Sequence, residues 1–189
     1  MLNFMKLQIA GLVLVIGASA ADRSFDYRML ATSKTSTMEK ELNEGAASGY
    51  RFSKVMGGKA TNGGQLIIAM VKETAAAAQE ARQYRLLSTT RTATMQAEMQ
   101  QLADGGYSYV DHAVFESATG GKEVVVIMEL DSQKRLEPRS SYRLLATTRT
   151  STMQKELESA GAQGYALVGV NAGKTAGGSE VIAILRKDK

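Results

Sequence analysis

A hydroxyl-rich corner carrying one cation occurs three times in this chain, as Lys34-Thr35-Ser36-Thr37, Arg91-Thr92-Ala93-Thr94 and Arg149-Thr150-Ser151-Thr152. Serine and threonine oxygens can take the N–H groups that a helix leaves free in its first turn, and a cation beside that positive helix end attracts anions. Such a combination suits a phosphate, a sulfate or a carboxylate. Lys34, Arg91, Arg149, Thr35, Thr92 and Thr150 are therefore the candidate ligand-binding residues. Against this stands a plainer reading, in which the hydroxyls only cap helices and the cations lie in solvent.

Other chemistry-bearing residues give less. Arg28, Arg85 and Arg143 each follow a tyrosine, and the equally repeated Glu41, Glu98 and Glu156 are their expected ion-pair partners. Two tyrosine sets, Tyr27/Tyr84/Tyr142 and Tyr50/Tyr107/Tyr165, are expected to pack rather than to hold a ligand. A polar cluster peculiar to one stretch, Asp111-His112 with Glu116, is the one place where a hydrolase-like enzyme would work. His112 is the sole histidine, and Val55 and Val170 stand at its equivalent positions. With no second histidine and no cysteine, neither a metal cluster nor an acid–base pair is suggested, and neighbours on a strand point to opposite faces. Gly173-Lys174-Thr175 is not a nucleotide loop: Val168 stands where that motif requires glycine, and a strand rather than a helix follows. No cofactor and no metal are implied.

The elements that carry these residues come from a triplicated unit. Residues 27–42 (YRMLATSKTSTMEKEL), 84–99 (YRLLSTTRTATMQAEM) and 142–157 (YRLLATTRTSTMQKEL) begin 57 and 58 residues apart, a period that marks an internal repeat. Each unit opens on a strand with apolar residues on both faces. A helix follows the hydroxyl corner, with Ser36/Glu39 and Ser151/Gln154 at capping-box spacing. Met38, Leu42 and Ala46, then Met95, Met99 and Leu102, then Met153, Leu157 and Ala160 form helical stripes, whose methionines are read as core. Gly49, Gly106 and Gly164 fall where a left-handed C-cap is needed. Second strands are expected at 50–55, 107–114 and 165–170. After a glycine-rich turn, third strands are expected at 66–71, 124–130 and 181–185. Those last runs are almost continuously apolar, which suits the middle of a sheet.

A unit of this size is marginal alone, so the three should pack on one another. The expected fold is α+β: three β-α-β-β repeats at 24–72, 84–130 and 142–189, with antiparallel sheets, helices on one side and a pseudo-threefold single globule, its sheets set side by side or closed into a barrel-like core. Polar linkers at 73–83 and 131–141 join them, the second containing the only proline, Pro138.

Residues 1–20 read as an export signal, with Lys6, an apolar core over 7–17 and Ala18-Ser19-Ala20 before a cut at Ala21. An apolar-rich stretch of about fourteen residues falls short of the roughly 20 that span a bilayer. Cleavage lowers the formal charge from +4 to +3 and points to a periplasmic or secreted protein. The absence of cysteine excludes disulfides and thiol chemistry. So mild and dispersed a charge argues against a nucleic-acid partner.

Three stretches carry a resemblance: Glu41-Leu42-Asn43-Glu44 through Gly49-Tyr50; Lys155-Glu156-Leu157 through Gly161-Ala162-Gln163-Gly164-Tyr165-Ala166-Leu167-Val168; and the final run Val181-Ile182-Ala183-Ile184-Leu185-Arg186-Lys187. They resemble a small bacterial domain of unknown function (DUF4177-like), each repeat covering it from first strand to third. Tyrosine replaces its commoner tryptophan after the glycine, and Ala166, Arg51 and Ser108 replace its glutamate. The resemblance implies a fold and transfers no catalytic residue. The function expected is an exported, non-enzymatic binding or structural module whose partner is a small anionic ligand, a glycan or an envelope protein.

Overall fold

The computed structural model describes residues 23–60, 63–74, 82–116, 122–132, 139–175 and 178–188. The export signal, Pro138 and most of both linkers lie outside the described residues. Each repeat is β-α-β-β: β1 Phe25–Thr32, α1 Thr35–Ala47, β2 Arg51–Ala60 and β3 Gly63–Glu73; then β4 Arg82–Thr89, α2 Thr92–Asp104, β5 Ser108–Glu116 and β6 Lys122–Asp131; then β7 Ser140–Thr147, α3 Thr150–Ala162, β8 Ala166–Thr175 and β9 Gly178–Asp188. The sheets are antiparallel, in the orders β1-β3-β2, β4-β6-β5 and β7-β9-β8. The apolar third strand is central in each, as its composition requires.

Local chemistry explains the shared outline. Gly49, Gly106 and Gly164 adopt φ of 85°, 94° and 85°, a region costly to any residue with a Cβ. Around each, a Schellman motif closes the helix: the Gly49 amide donates to the Ala46 carbonyl and the Tyr50 amide to the Gly45 carbonyl, with equivalents after α2 and α3. The second and third strands run longer than the apolar pattern indicates, because Gly57-Gly58 and Gly63-Gly64 continue as a paired hairpin instead of turning early. Every second strand carries a register shift at one equivalent place, beside Ser53, Val110 and Val168. Lys174 and Thr175 lie in a strand, so no nucleotide loop forms there.

The repeats sit side by side, in series. One core joins Leu30, Met38, Leu42, Leu66, Ile68 and Met70 of the first repeat to Tyr84, Ala113, Phe115, Val125 and Ile127 of the second. The next joins Met95, Met99, Ala103, Val124, Val126 and Met128 to Tyr142, Leu144, Ile182 and Ile184 of the third. The second and third sheets thus each carry their own helix on one face and offer the other face to the repeat before them. Helix α1 packs on β4 and α2 on β7, whereas α3 packs on β7, β8 and β9 of its own repeat. Among the described residues no such joint leads from the third repeat back to the first, so the array is open at both ends. Tyr84 and Tyr142 are 1% and 4% exposed, while their equivalent Tyr27 is 70% exposed.

Candidate functional site

The three corners share one geometry. Lys34, Arg91 and Arg149 are the N-cap residues, with φ/ψ of −121°/120°, −114°/115° and −122°/125°, and all three are exposed. Among the described residues no side chain caps any of these helices. The hydroxyls of Thr32, Thr89 and Thr147 instead accept from the backbone N–H of the cationic residue at 3.2, 3.1 and 3.3 Å. These three threonines, two positions before each cation, are a repeated part of the corner that helix-capping rules do not single out. Thr35, Thr92 and Thr150 are the first helical residues, so their amides belong to the free first turn. Each corner therefore combines a positive helix end with an exposed cation.

The expected capping boxes do not form, because α1 and α3 already start at Thr35 and Thr150, which puts Ser36 and Ser151 inside the helix; Glu39 is engaged by the next repeat and Gln154 by Glu158 of its own helix at 2.7 Å. Glu39 Oε2 accepts from the Leu86 amide at 2.8 Å, and its other oxygen meets Arg85 at 3.3 Å. One turn further along α1, Asn43 accepts from the Tyr84 amide at 2.9 Å and donates to the Tyr84 carbonyl at 3.0 Å. Helix α2 repeats the arrangement: Gln96 accepts from the Leu144 amide at 2.9 Å, and Gln100 accepts from the Tyr142 amide at 3.1 Å. Two polar side chains four residues apart thus satisfy the outer edge of the next sheet, where an unpaired strand is otherwise a liability. The signal for them was a polar pair recurring at i and i+4 beside the methionine stripe.

The expected pairing of Arg28, Arg85 and Arg143 with Glu41, Glu98 and Glu156 is corrected in the same way. Among the described residues no ion pair joins the two sets. Arg85 turns to Glu39 of the preceding helix, and Arg143 donates to Gln163 at 3.0 Å while lying 4.6 Å from the centre of the Tyr165 ring. The Arg143 geometry is that of a cation over an aromatic face.

A tyrosine locks each joint. The Tyr84 hydroxyl accepts from the Phe52 amide at 2.9 Å and donates to Glu129 at 2.7 Å, and Arg82 holds Glu129 at 2.7 Å and Asp131 at 3.2 Å. The Tyr142 hydroxyl takes the equivalent Tyr109 amide at 2.8 Å. Burial raises the pKa of both phenols, Tyr84 the more, with the negative charge of Glu129 adding to the effect there.

His112 lies inside the joint between the second and third repeats. Its Nδ1 is 2.9 Å from the Tyr109 hydroxyl, its Nε2 is buried with no hydrogen-bond partner among the described residues, and Gly169 of β8 covers it so closely that a methyl there would collide with Tyr109 Oη and with the imidazole. Burial lowers the His112 pKa, and neighbouring Asp111 opposes that only in part. Asp111 accepts from the His112 amide and pairs with Lys54 of the first repeat at 3.8 Å.

No family model, curated protein or solved structure matches the chain. What can be said of its chemistry therefore rests on its own residues. No group of three or more metal-ligating side chains converges among the described residues, and no helix among them is long and apolar enough to cross a membrane.

Proposed function

We propose that this protein is an exported, non-enzymatic binding or structural module of the cell envelope, periplasmic or secreted, that takes a small anionic ligand or an anionic glycan at its helix N-terminal corners. The observation that carries the reading is the threefold repetition, in one backbone conformation, of an uncapped helix start beside an exposed Lys34, Arg91 or Arg149. Free N–H groups, the helix dipole and a cation act in the same direction on an anion. Three weak corners in one chain would favour a multivalent ligand over a monovalent one. Burial of His112 in a joint between repeats supports a packing role for it over hydrolysis at Asp111, His112 and Glu116.

Thermal melting during titration with phosphate, sulfate and anionic oligosaccharides tests the proposal. A ligand at a hundred times its dissociation constant adds about 2.7 kcal/mol, a rise of several degrees in Tm. Combined replacement of Lys34, Arg91 and Arg149 by alanine should abolish that rise while leaving the ligand-free melt unchanged. No rise at millimolar ligand contradicts the reading.

A further inference from the structure

The joint between repeats is built twice from the same parts, and the unused half of each part remains at an end of the chain. At the head, the outward face of the first sheet presents Phe25, Tyr27, Met29 and Met56 to solvent, with Ile67 and Ala69 half-buried between them. The equivalents of this patch in the second repeat are Tyr84, Leu86, Ala113, Val125 and Ile127, which form half of the first core. In the third repeat they are Tyr142, Leu144, Ile182 and Ile184, which form half of the second. At the tail, the third core, among the described residues, has Met153, Ala160, Ala183 and Leu185 buried, all from one repeat, and Leu167 and Val170 beside it are exposed. The helix residues that would hold a following edge strand, Gln154 and Glu158, bond to each other at 2.7 Å in solvent.

We infer that head and tail are complementary, and that a second copy of this chain docks its first sheet against the third repeat in the arrangement that α1 and α2 already make with β4 and β7. Tyr27 of the incoming copy enters beside Leu167, whose amide corresponds to the Phe52 and Tyr109 amides that take a tyrosine hydroxyl within the chain. Gln154 receives the Met29 amide and Glu158 the Tyr27 amide, as Glu39 and Asn43 do for Leu86 and Tyr84. The partner is identified by continuity with two existing joints and by the apolar residues left exposed at both ends, Tyr27, Met29 and Met56 at the head and Leu167 and Val170 at the tail. A contact between different surfaces does not close on itself in pairs, so it propagates into a filament or closes into a larger ring. One contact is weaker than its counterparts within the chain: Asn43 both accepts and donates, whereas the Glu158 carboxylate only accepts and gives nothing to the Tyr27 carbonyl. This inference is independent of anion binding at the corners.

Sedimentation velocity of the full chain, as isolated after any processing, should show species growing in steps of one chain from micromolar to millimolar concentration. Tyr27→Asp blocks the head and Leu167→Asp the tail. Each residue is exposed, so each variant should keep the wild-type melt and sediment as a monomer; Val170→Asp serves as a second tail block. Mixed together, a head-blocked and a tail-blocked variant should form a dimer and nothing larger. Glu158→Gln should tighten wild-type association by about 3- to 10-fold, the worth of one regained hydrogen bond. A wild-type chain that stays monomeric at every concentration overturns the inference, as do blocked variants that assemble alone or a mixture that does not pair. A monomer whose Tyr27 and Met29 amides exchange slowly would show the head already covered and would also overturn it.

Discussion

Tyr27 and Tyr84 occupy the same position on the first strand of their repeats, yet one lies in solvent and the other is sealed in a core. The strand pairing does not account for the difference: both lie on a first strand held antiparallel against the central strand in the same register, Tyr27 opposite Val71 and Tyr84 opposite Glu129. It lies in what precedes the strand, because α1 and the inner face of the first sheet cover Tyr84 and no described element covers Tyr27. Burial in this fold is conferred by the previous repeat. The middle repeat is therefore half of two cores, and much of the stability resides in the joints.

The largest test of that comparison is truncation at the tyrosines. Tyr84→Ala and Tyr142→Ala should each cost about 3–5 kcal/mol in chemical denaturation, as expected when a buried aromatic is removed and its polar partners are stranded. Tyr27→Ala should stay within about 0.5 kcal/mol. Comparable losses at all three positions would break the comparison.

Smaller effects sharpen it. Asn43→Ala removes both bonds to Tyr84 and should cost about 1–3 kcal/mol, whereas Glu158→Ala, the same position without a following repeat, should be nearly neutral in the monomer. Gly169→Ala forces a methyl into Tyr109 and His112 and should cost about 1–3 kcal/mol. The helical Gly161 has open space where a methyl would stand, with nothing within 4 Å, and should gain up to about 1 kcal/mol as alanine.

The second joint should also respond to acid. His112 is held neutral by burial, so its pKa in the folded chain lies below the usual 6.5 of the unfolded one. Between those two values the unfolded chain binds more protons, and stability therefore falls as pH drops through that window. Melting from neutral to acidic pH should show the fall, and His112→Gln should flatten it.

The internal repeat, the glycine C-caps and the central place of the apolar third strand were legible because each depends on residues within one unit. The same was true of the methionine stripes, since Met38, Met95 and Met153 are buried as helical spacing requires. The joints were hidden because their partners lie one repeat away. Glu39 has capping-box spacing to Ser36, but an edge-strand amide needs an acceptor more than an exposed helix start does, and Glu39 goes to Leu86. Arg85 follows it there instead of meeting Glu98. Spacing along a chain reports what a helix or strand buries, and is silent on which neighbour buries it. The cationic corners were legible as a pattern, while the threonine at their base, Thr32, Thr89 or Thr147, shows only in the folded backbone.

Amide hydrogen exchange on dilute, monomeric protein tests the central claim most directly, because it reads equivalent N–H groups in three repeats at once. The joints predict slow exchange at Phe52, Tyr109, Tyr84 and Tyr142, whose N–H groups are taken by a neighbouring repeat. They predict fast exchange at the equivalent Leu167 and Tyr27. Equal protection across the three repeats would contradict the account.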